Sequence, residues 1–167
     1  MVQPLTDGHG RRFEYLRLSL TDVCNFRCSY CLPDGYRKQA GLPANLTVRE
    51  TGRLIAAFAQ LGLWKVRLTG GEPSLRAELL DLAATVAATP GIRKLAMTTN
   101  GYRLAERAAD YAAAEISALN ISVDSLDPAR FAAITGHDRL GEVLAGVAAA
   151  RQAGIASIKL NSVLMRG

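Results

Sequence analysis

Apolar and polar residues alternate over short runs of this chain and recur three and four apart over the longer runs between them. Alternation marks strands with one covered face, and the wider spacing marks helices with an apolar stripe. YLRLSLT (15–21) predicts a first strand. LTVRETGRLIAAFAQLG (46–62) predicts a helix, with Thr47 and Glu50 placed to form a capping box and Gly62 to end it. WKVRLT (64–69) is a second strand, closed by Gly70 and Gly71. LRAELLDLAATVAAT (75–89) is a helix stopped by Pro90, and IRKLAMTTN (92–100) a strand broken by Gly101. RLAERAADYAAAE (103–115) is helical and ISALNISVD (116–124) extended. LDPARFAAITG and LGEVLAGVAAARQAG form helices on either side of a short break, with Asp127 as cap and Pro128 in the first turn. IASIKLNSVLM (155–165) predicts a fifth strand.

Strands that alternate with helices predict a parallel α/β sheet whose right-handed crossovers stack the helices outside it. About five βα units give a partial, incomplete parallel β/α barrel in one domain over 1–167, with no internal boundary or repeat. Five strands do not close such a barrel, and an apolar edge strand left bare invites aggregation. A missing C-terminal portion is therefore expected.

Composition narrows the picture. The chain is 49% hydrophobic, which excludes a disordered protein. Its net charge of +5 suits an anionic small molecule or polyphosphate as well as nucleic acid. Lys and Arg are scattered, with only RR (11–12) and YRK (36–38) approaching clusters, so no nucleic-acid partner is expected. The first apolar run begins only at residue 13, which excludes a signal peptide, and nothing approaches the ~20 apolar residues of a membrane span. A cytoplasmic protein without membrane contact is expected, where thiols stay reduced and cysteines are more often metal-binding or catalytic than disulfide-bonded.

All three cysteines lie in TDVCNFRCSYC (21–31), at 24, 28 and 31. A structural zinc site wants four ligands, and the chain's only histidines, His9 and His137, are not spaced like finger ligands. A site of three Cys with His9 remains possible. Three buried structural cysteines fit poorly with a polar loop after a strand. A 4Fe–4S cubane held by three thiolates keeps its fourth iron open, which is what a reactive centre needs. The loop's place at the C-terminal end of the first strand suits a ligand site in an α/β fold.

The spacing C-x3-C-x2-C, with Tyr30 just before the last cysteine, resembles that of the radical S-adenosylmethionine (SAM) superfamily. In that superfamily SAM chelates the open iron through its amino and carboxylate groups. LTGGEP (68–73) is an ordinary strand–helix turn by itself, but resembles the superfamily element whose backbone and Glu receive the methionine amino group, here Glu72. Ser122 lies between apolar Ile121 and Val123 and should face the barrel interior. Lys159 and Asn161 share one side of the fifth strand, and Arg17 and Arg67 sit inside apolar strand runs. A charge inside a sheet needs a partner. Three inward cations predict a phosphate-binding interior, since the guanidinium fork matches phosphate oxygens.

Together, YLRLSLTDVCNFRCSYCLPDGY, KVRLTGGEPSLR, MTTNGYRL, ISVDSLD and IKLNSVLMRG resemble the GTP 3′,8-cyclase family of molybdenum cofactor biosynthesis, from about residue 5 to the end. The resemblance implies that Cys24, Cys28 and Cys31 ligate a 4Fe–4S cluster, that Tyr30, Gly71 and Ser122 contact SAM, and that Arg17, Arg67, Thr98 and Lys159 contact GTP. Glu72, Asn100 and Asn161 are supporting residues. No side chain is catalytic by itself. It implies a lyase that generates a 5′-deoxyadenosyl radical, removes a hydrogen from the ribose C3′ of GTP and closes a ring onto C8. An electron donor such as flavodoxin or ferredoxin, a downstream cyclic pyranopterin monophosphate synthase and a homodimer are the implied partners. Family members also carry a C-terminal cysteine triad for a second cluster, which these residues lack, so this chain alone is expected to be inactive in cyclisation. The alternatives are another radical SAM enzyme, activating or peptide-modifying, and a non-catalytic metal-binding module.

Overall fold

The structure, a computed structural model, describes residues 3–38, 41 and 43–165. The last two residues of the IKLNSVLMRG stretch lie outside them. The elements run β1 (Tyr15–Ser19), α1 (Val48–Gln60), β2 (Lys65–Thr69), α2 (Leu79–Ala87), β3 (Lys94–Thr99), α3 (Leu104–Ala113), β4 (Ala118–Ser122), α4 (Pro128–Thr135), α5 (Leu140–Gln152) and β5 (Ser157–Asn161). Each strand pairs parallel with the next, in the order β1-β2-β3-β4-β5, so the fold is α/β with one open sheet.

The alternation in sequence becomes two unlike faces. One row across the sheet reads Leu18, Leu68, Met97, Leu119, Ile158, apolar throughout and buried as far as the β5 edge. The next row reads Arg17, Arg67, Ala96, Ala118, Ser157. The first face carries the core, where Ile55, Leu79, Leu82, Tyr111, Phe131 and Val143 of the helices are buried with it. Each such side chain, fully buried, contributes about 1.5–3 kcal/mol. The second face carries Arg17, Arg67, Thr98, Asn120, Ser122 and Lys159.

Local signals act as expected at most boundaries. Thr47 accepts from Glu50 N at 3.2 Å while the Glu50 carboxylate accepts from Thr47 N at 2.9 Å, completing the capping box of α1. Asp127 accepts from Arg130 N at 2.8 Å at the start of α4. Two elements differ from expectation. The helix foreseen from residue 75 begins at Leu79. Residues Pro73–Leu75 instead make a single 3-10 turn capped by the Glu72 side chain, and the extended backbone of Arg76 separates the two. The fifth strand stops at Asn161, because the Val163 N–H turns to the Asp124 side chain. No helix among the described residues is long and apolar enough to cross a membrane.

Gly146 sets how closely α5 approaches α3. A Cβ there would lie 2.7 Å from Leu104 Cβ and 3.1 Å from its Cγ. Helix propensity alone favours Gly146→Ala by about 1 kcal/mol. Packing reverses the sign, since overfilling a core costs about 1–3 kcal/mol. The variant is expected to melt below the parent in a calorimetric scan; a rise in melting temperature would show that the two helices are free to separate.

Candidate functional site

The segment after β1 crosses the C-terminal ends of the strands and is fastened on several sides. Leu20 N donates to Thr69 O (2.9 Å), Gly71 N to Thr21 O (2.7 Å) and Glu72 N to Val23 O (2.8 Å). These bonds lay the loop against the turn that follows β2. Gly70 and Gly71 make that contact possible: a Cβ on Gly70 would lie 2.5 Å from Thr21 O, and one on Gly71 would overlap the Val23 carbonyl. The glycines thus admit the cysteine loop's own backbone, a close approach expected of a ligand.

Farther along, Phe26 inserts into the core, edge-on to Phe131 at 6.4 Å between centroids and stacked on His137 at 5.1 Å. Arg27 N and Ser29 N donate to Thr135 O and Ile134 O at 3.1 and 2.8 Å, using free carbonyls at the end of α4. Asn100 Nδ2 donates to Asn25 Oδ1 at 2.8 Å, and Tyr30 Oη to Asp124 Oδ2 at 2.9 Å. An irregular cysteine loop is thereby fixed without secondary structure of its own.

Glu72 lies beneath it, 1% exposed. Its carboxylate accepts from Ser74 N (3.0 Å), Thr99 Oγ1 (2.8 Å) and Asn100 N (2.7 Å). Burial pushes its pKa up, against the lowering effect of those donors. Its oxygens hold the end of β3 to the turn after β2, a role that the expected contact with an amino group did not include.

A cavity of about 170 Å³ opens above these groups. Cys24, Cys28, Cys31, Tyr30, Gly71, Ser122, Arg17 and Thr98 all line it, with Glu72, Asn100 and Asp124. Of the expected site residues, Arg67, Lys159 and Asn161 do not. They stand beside it on the polar face of the sheet: Arg67 opposite Arg17, Lys159 opposite Asn120, and Asn161 opposite Ser122. Arg67 donates to Thr98 Oγ1 at 3.3 Å, while its buried Nε has no partner.

The three cysteines are free thiols, two half-buried and Cys31 exposed. Burial pushes Cys24 up and Cys28 up to about 11, with the neighbouring Asp124 carboxylate adding to the second. Loading a metal there must displace protons. Among the described residues no three Cys, His, Asp or Glu side chains gather closely enough to chelate a single ion. A cubane bonds each thiolate to a different iron, so it asks for sulfurs around a cage rather than at one point. Three thiols lining a single cavity fit that demand.

Sequence reasoning missed three features. Lys65 and Lys94 face each other across β2 and β3, on the same side as Arg67. Burial, then repulsion from Arg67, Lys94 and Lys159, holds the Lys65 pKa below its usual value. None of the five ion pairs among the described residues involves these lysines, Arg17 or Arg67. The period-two count that singled out Arg67 extends to Lys65, two residues earlier. The same count from Ser122 reaches Asp124. Asn25 has no comparable signal.

Residues 18–167 match the family described as the Radical SAM superfamily. Among curated proteins the chain is 60% identical over 166 residues to a GTP 3′,8-cyclase of Stenotrophomonas maltophilia (strain K279a), covering 99% of this chain and 51% of that protein. It is 57% identical over 170 residues to one from Aeromonas hydrophila, covering 99% and 50%. The chain therefore spans about half the length of the curated relatives it matches. Among solved structures it resembles Streptococcus suis SuiB bound to S-adenosylmethionine, with a TM-score of 0.77 at 17% identity over 92% of this chain and 35% of that one. It also resembles methylornithine synthase, with a TM-score of 0.68 at 15% identity over 86% and 42%. These two share the fold.

Glu72→Gln replaces one acceptor oxygen with an NH₂ group among groups that only donate to it. A buried donor left unmatched costs about 1–3 kcal/mol. Urea unfolding is expected to show a loss of that size with an unchanged slope; an unchanged midpoint would mean that the three bonds contribute nothing net.

Proposed function

We propose that this chain, which belongs to the radical SAM superfamily, carries the SAM-cleaving and nucleotide-binding part of a GTP 3′,8-cyclase. That enzyme converts GTP and SAM to 3′,8-cyclo-7,8-dihydro-GTP in molybdenum cofactor biosynthesis. The observation that carries the proposal is spatial: the cysteine-lined cavity adjoins a column of cations on one face of the sheet that make no ion pair among the described residues.

Cys24, Cys28 and Cys31 would hold a 4Fe–4S cluster. When bound, the cluster together with SAM supplies a carbon-centred radical able to remove an unactivated hydrogen. Tyr30, Gly71 and Ser122 line the space where SAM would lie. Glu72 helps shape its floor. Arg17, Arg67 and Lys159 face the same side, from adjacent β1 and β2 and from β5, and suit a polyphosphate; Lys65 and Lys94 extend that charge downward. Thr98 lines the cavity and accepts from Arg67, fixing the guanidinium where the cavity and the cation column meet. The fold keeps these charges on a partly covered surface, where their effect on an anion exceeds that in bulk water.

An external one-electron donor of the flavodoxin or ferredoxin kind, a cyclic pyranopterin monophosphate synthase downstream, a homodimer and a cytoplasmic setting complete the proposal. These residues form the radical SAM core. The three cysteines supply one triad, so the guanine-binding second cluster of the family would draw on residues beyond those present here.

Anaerobic reconstitution of this chain is expected to give iron and acid-labile sulfide, both lost in Cys28→Ala, and cleavage of SAM without cyclisation of GTP. Bound zinc without sulfide would point to a metal-binding module instead. Arg67→Ala is expected to weaken GTP binding about 10-fold, as loss of a charge-assisted bond implies. SAM cleavage with no GTP binding at all would favour another radical SAM branch. Bound phosphates would raise the depressed Lys65 pKa, so binding takes up protons. Affinity for GTP should therefore fall as pH rises through the alkaline range where Lys65 of the free chain titrates. Lys65→Gln should flatten that part of the profile.

A further inference from the structure

Asp124 lies two residues beyond the end of the fourth strand's inward-facing Ser122, and nothing in the proposed chemistry employs it. Its acceptors are all engaged by other segments. Oδ2 accepts from Tyr30 Oη at 2.9 Å, 94 positions earlier in the chain. Oδ1 accepts from Val163 N at 2.9 Å, just past β5. Its backbone carbonyl accepts from Ser162 Oγ at 3.1 Å. One short carboxylate thus joins the cysteine loop, the end of β4 and the chain leaving β5.

We propose that Asp124 is a positioning residue that latches the Tyr30–Cys31 arm of the loop to the exit of β5. The two ends of the loop are held differently. Its first part is fixed by Phe26 in the core and by the backbone bonds of Arg27 and Ser29 to α4. Beyond Ser29, among the described residues, the arm has the local turns from Cys31 N and Leu32 N to Cys28 O, at 2.9 and 3.0 Å, and from Gly35 N to Leu32 O, at 2.8 Å, and the Tyr30 hydroxyl alone ties it to another segment. Tyr30 is 43% exposed, so burial does not hold its ring in place. A single directional bond then decides where the arm rests.

The choice of Asp follows from its acceptor count. Two donors arrive from separate segments at two separate oxygens. An Asn offers one carbonyl oxygen for Val163 N, and its NH₂ could meet Tyr30 only by donating to Oη, which replaces a charge-assisted bond with a neutral one. Because the second donor follows Asn161 and Lys159 on the same strand, the latch links the wall proposed for the phosphates to the wall proposed for SAM. In that respect it rests on the proposed function; the hydrogen-bond network by itself does not.

Hydrogen–deuterium exchange on the anaerobic, unloaded chain tests the latch, with Tyr30→Phe, Asp124→Ala, the double variant and Asp124→Asn. Each single variant is expected to speed exchange across residues 28–35 several-fold, and the double variant no more than the faster single. Asp124→Ala should also free the Val163 amide, and Asp124→Asn should fall between parent and Ala. Melting temperatures should stay close to the parent value, since the Tyr30 bond is half-exposed. Parent-like exchange across residues 28–35 in Asp124→Ala, or effects that add in the double variant, would overturn the latch. In the cluster-loaded chain the same order is expected for SAM affinity. A loaded parent chain that binds no SAM would defeat the proposed function, while the exchange rates would still decide on Asp124.

Discussion

The top of this sheet depends on a carboxylate kept out of water. Glu72 leaves β2 on a turn so tight against the cysteine loop that only glycine fits before it, and its side chain then gathers donors from its own turn and from the end of β3. Asn100, whose N–H is one of those donors, reaches on to Asn25 in the cysteine loop. The path closes on itself, since Glu72 N already bonds Val23 O in that loop. A buried carboxylate with fewer donors would be a liability. With three it becomes a joint that holds two strand ends and an irregular loop in one arrangement.

That joint allows reactive side chains to stand on segments with no ladder of their own. A loop carrying three thiols gains no stability from metal before metal arrives. Here it is held by an aromatic anchor, by the carbonyls at the end of α4 and by Asn25, so the three cysteines line one cavity. Preorganisation of this kind lowers the ordering entropy that ligand binding must offset. Burial also disfavours the charged forms of the Cys24 and Cys28 thiols.

The two faces of the sheet differ in what they carry: one packs the core and the other collects charge. The helix-covered face is apolar from Leu18 to Leu119, whereas the other collects Arg17, Lys65, Arg67, Lys94 and Lys159 with no carboxylate among its strand residues. Cations that repel one another, as Lys65 records, are tolerable on a partly solvated surface and become favourable once a polyanion lies between them. Folding would gain from replacing some of them; binding an anion would not.

Much of this was legible along the chain. Period-two alternation placed Arg17, Arg67, Ser122 and Lys159 on one side of the sheet, capping chemistry placed Thr47 and Asp127, and the cysteine spacing pointed to the superfamily that the chain matches. What the pattern left open was partnership. Alternation says which side of a strand a residue occupies, but not what crosses the sheet to meet it. Asn25 meets Asn100 and Tyr30 meets Asp124 across 75 and 94 positions, and Gly146 is dictated by Leu104 on another helix. Glu72 looked like a free acceptor until the fold surrounded it with donors. Local order was settled by residue type and spacing, because backbone sterics and hydrogen bonding act over a few residues. The pairings were settled only when the sheet brought distant loops to one end, because a side chain's partner is a matter of position in space.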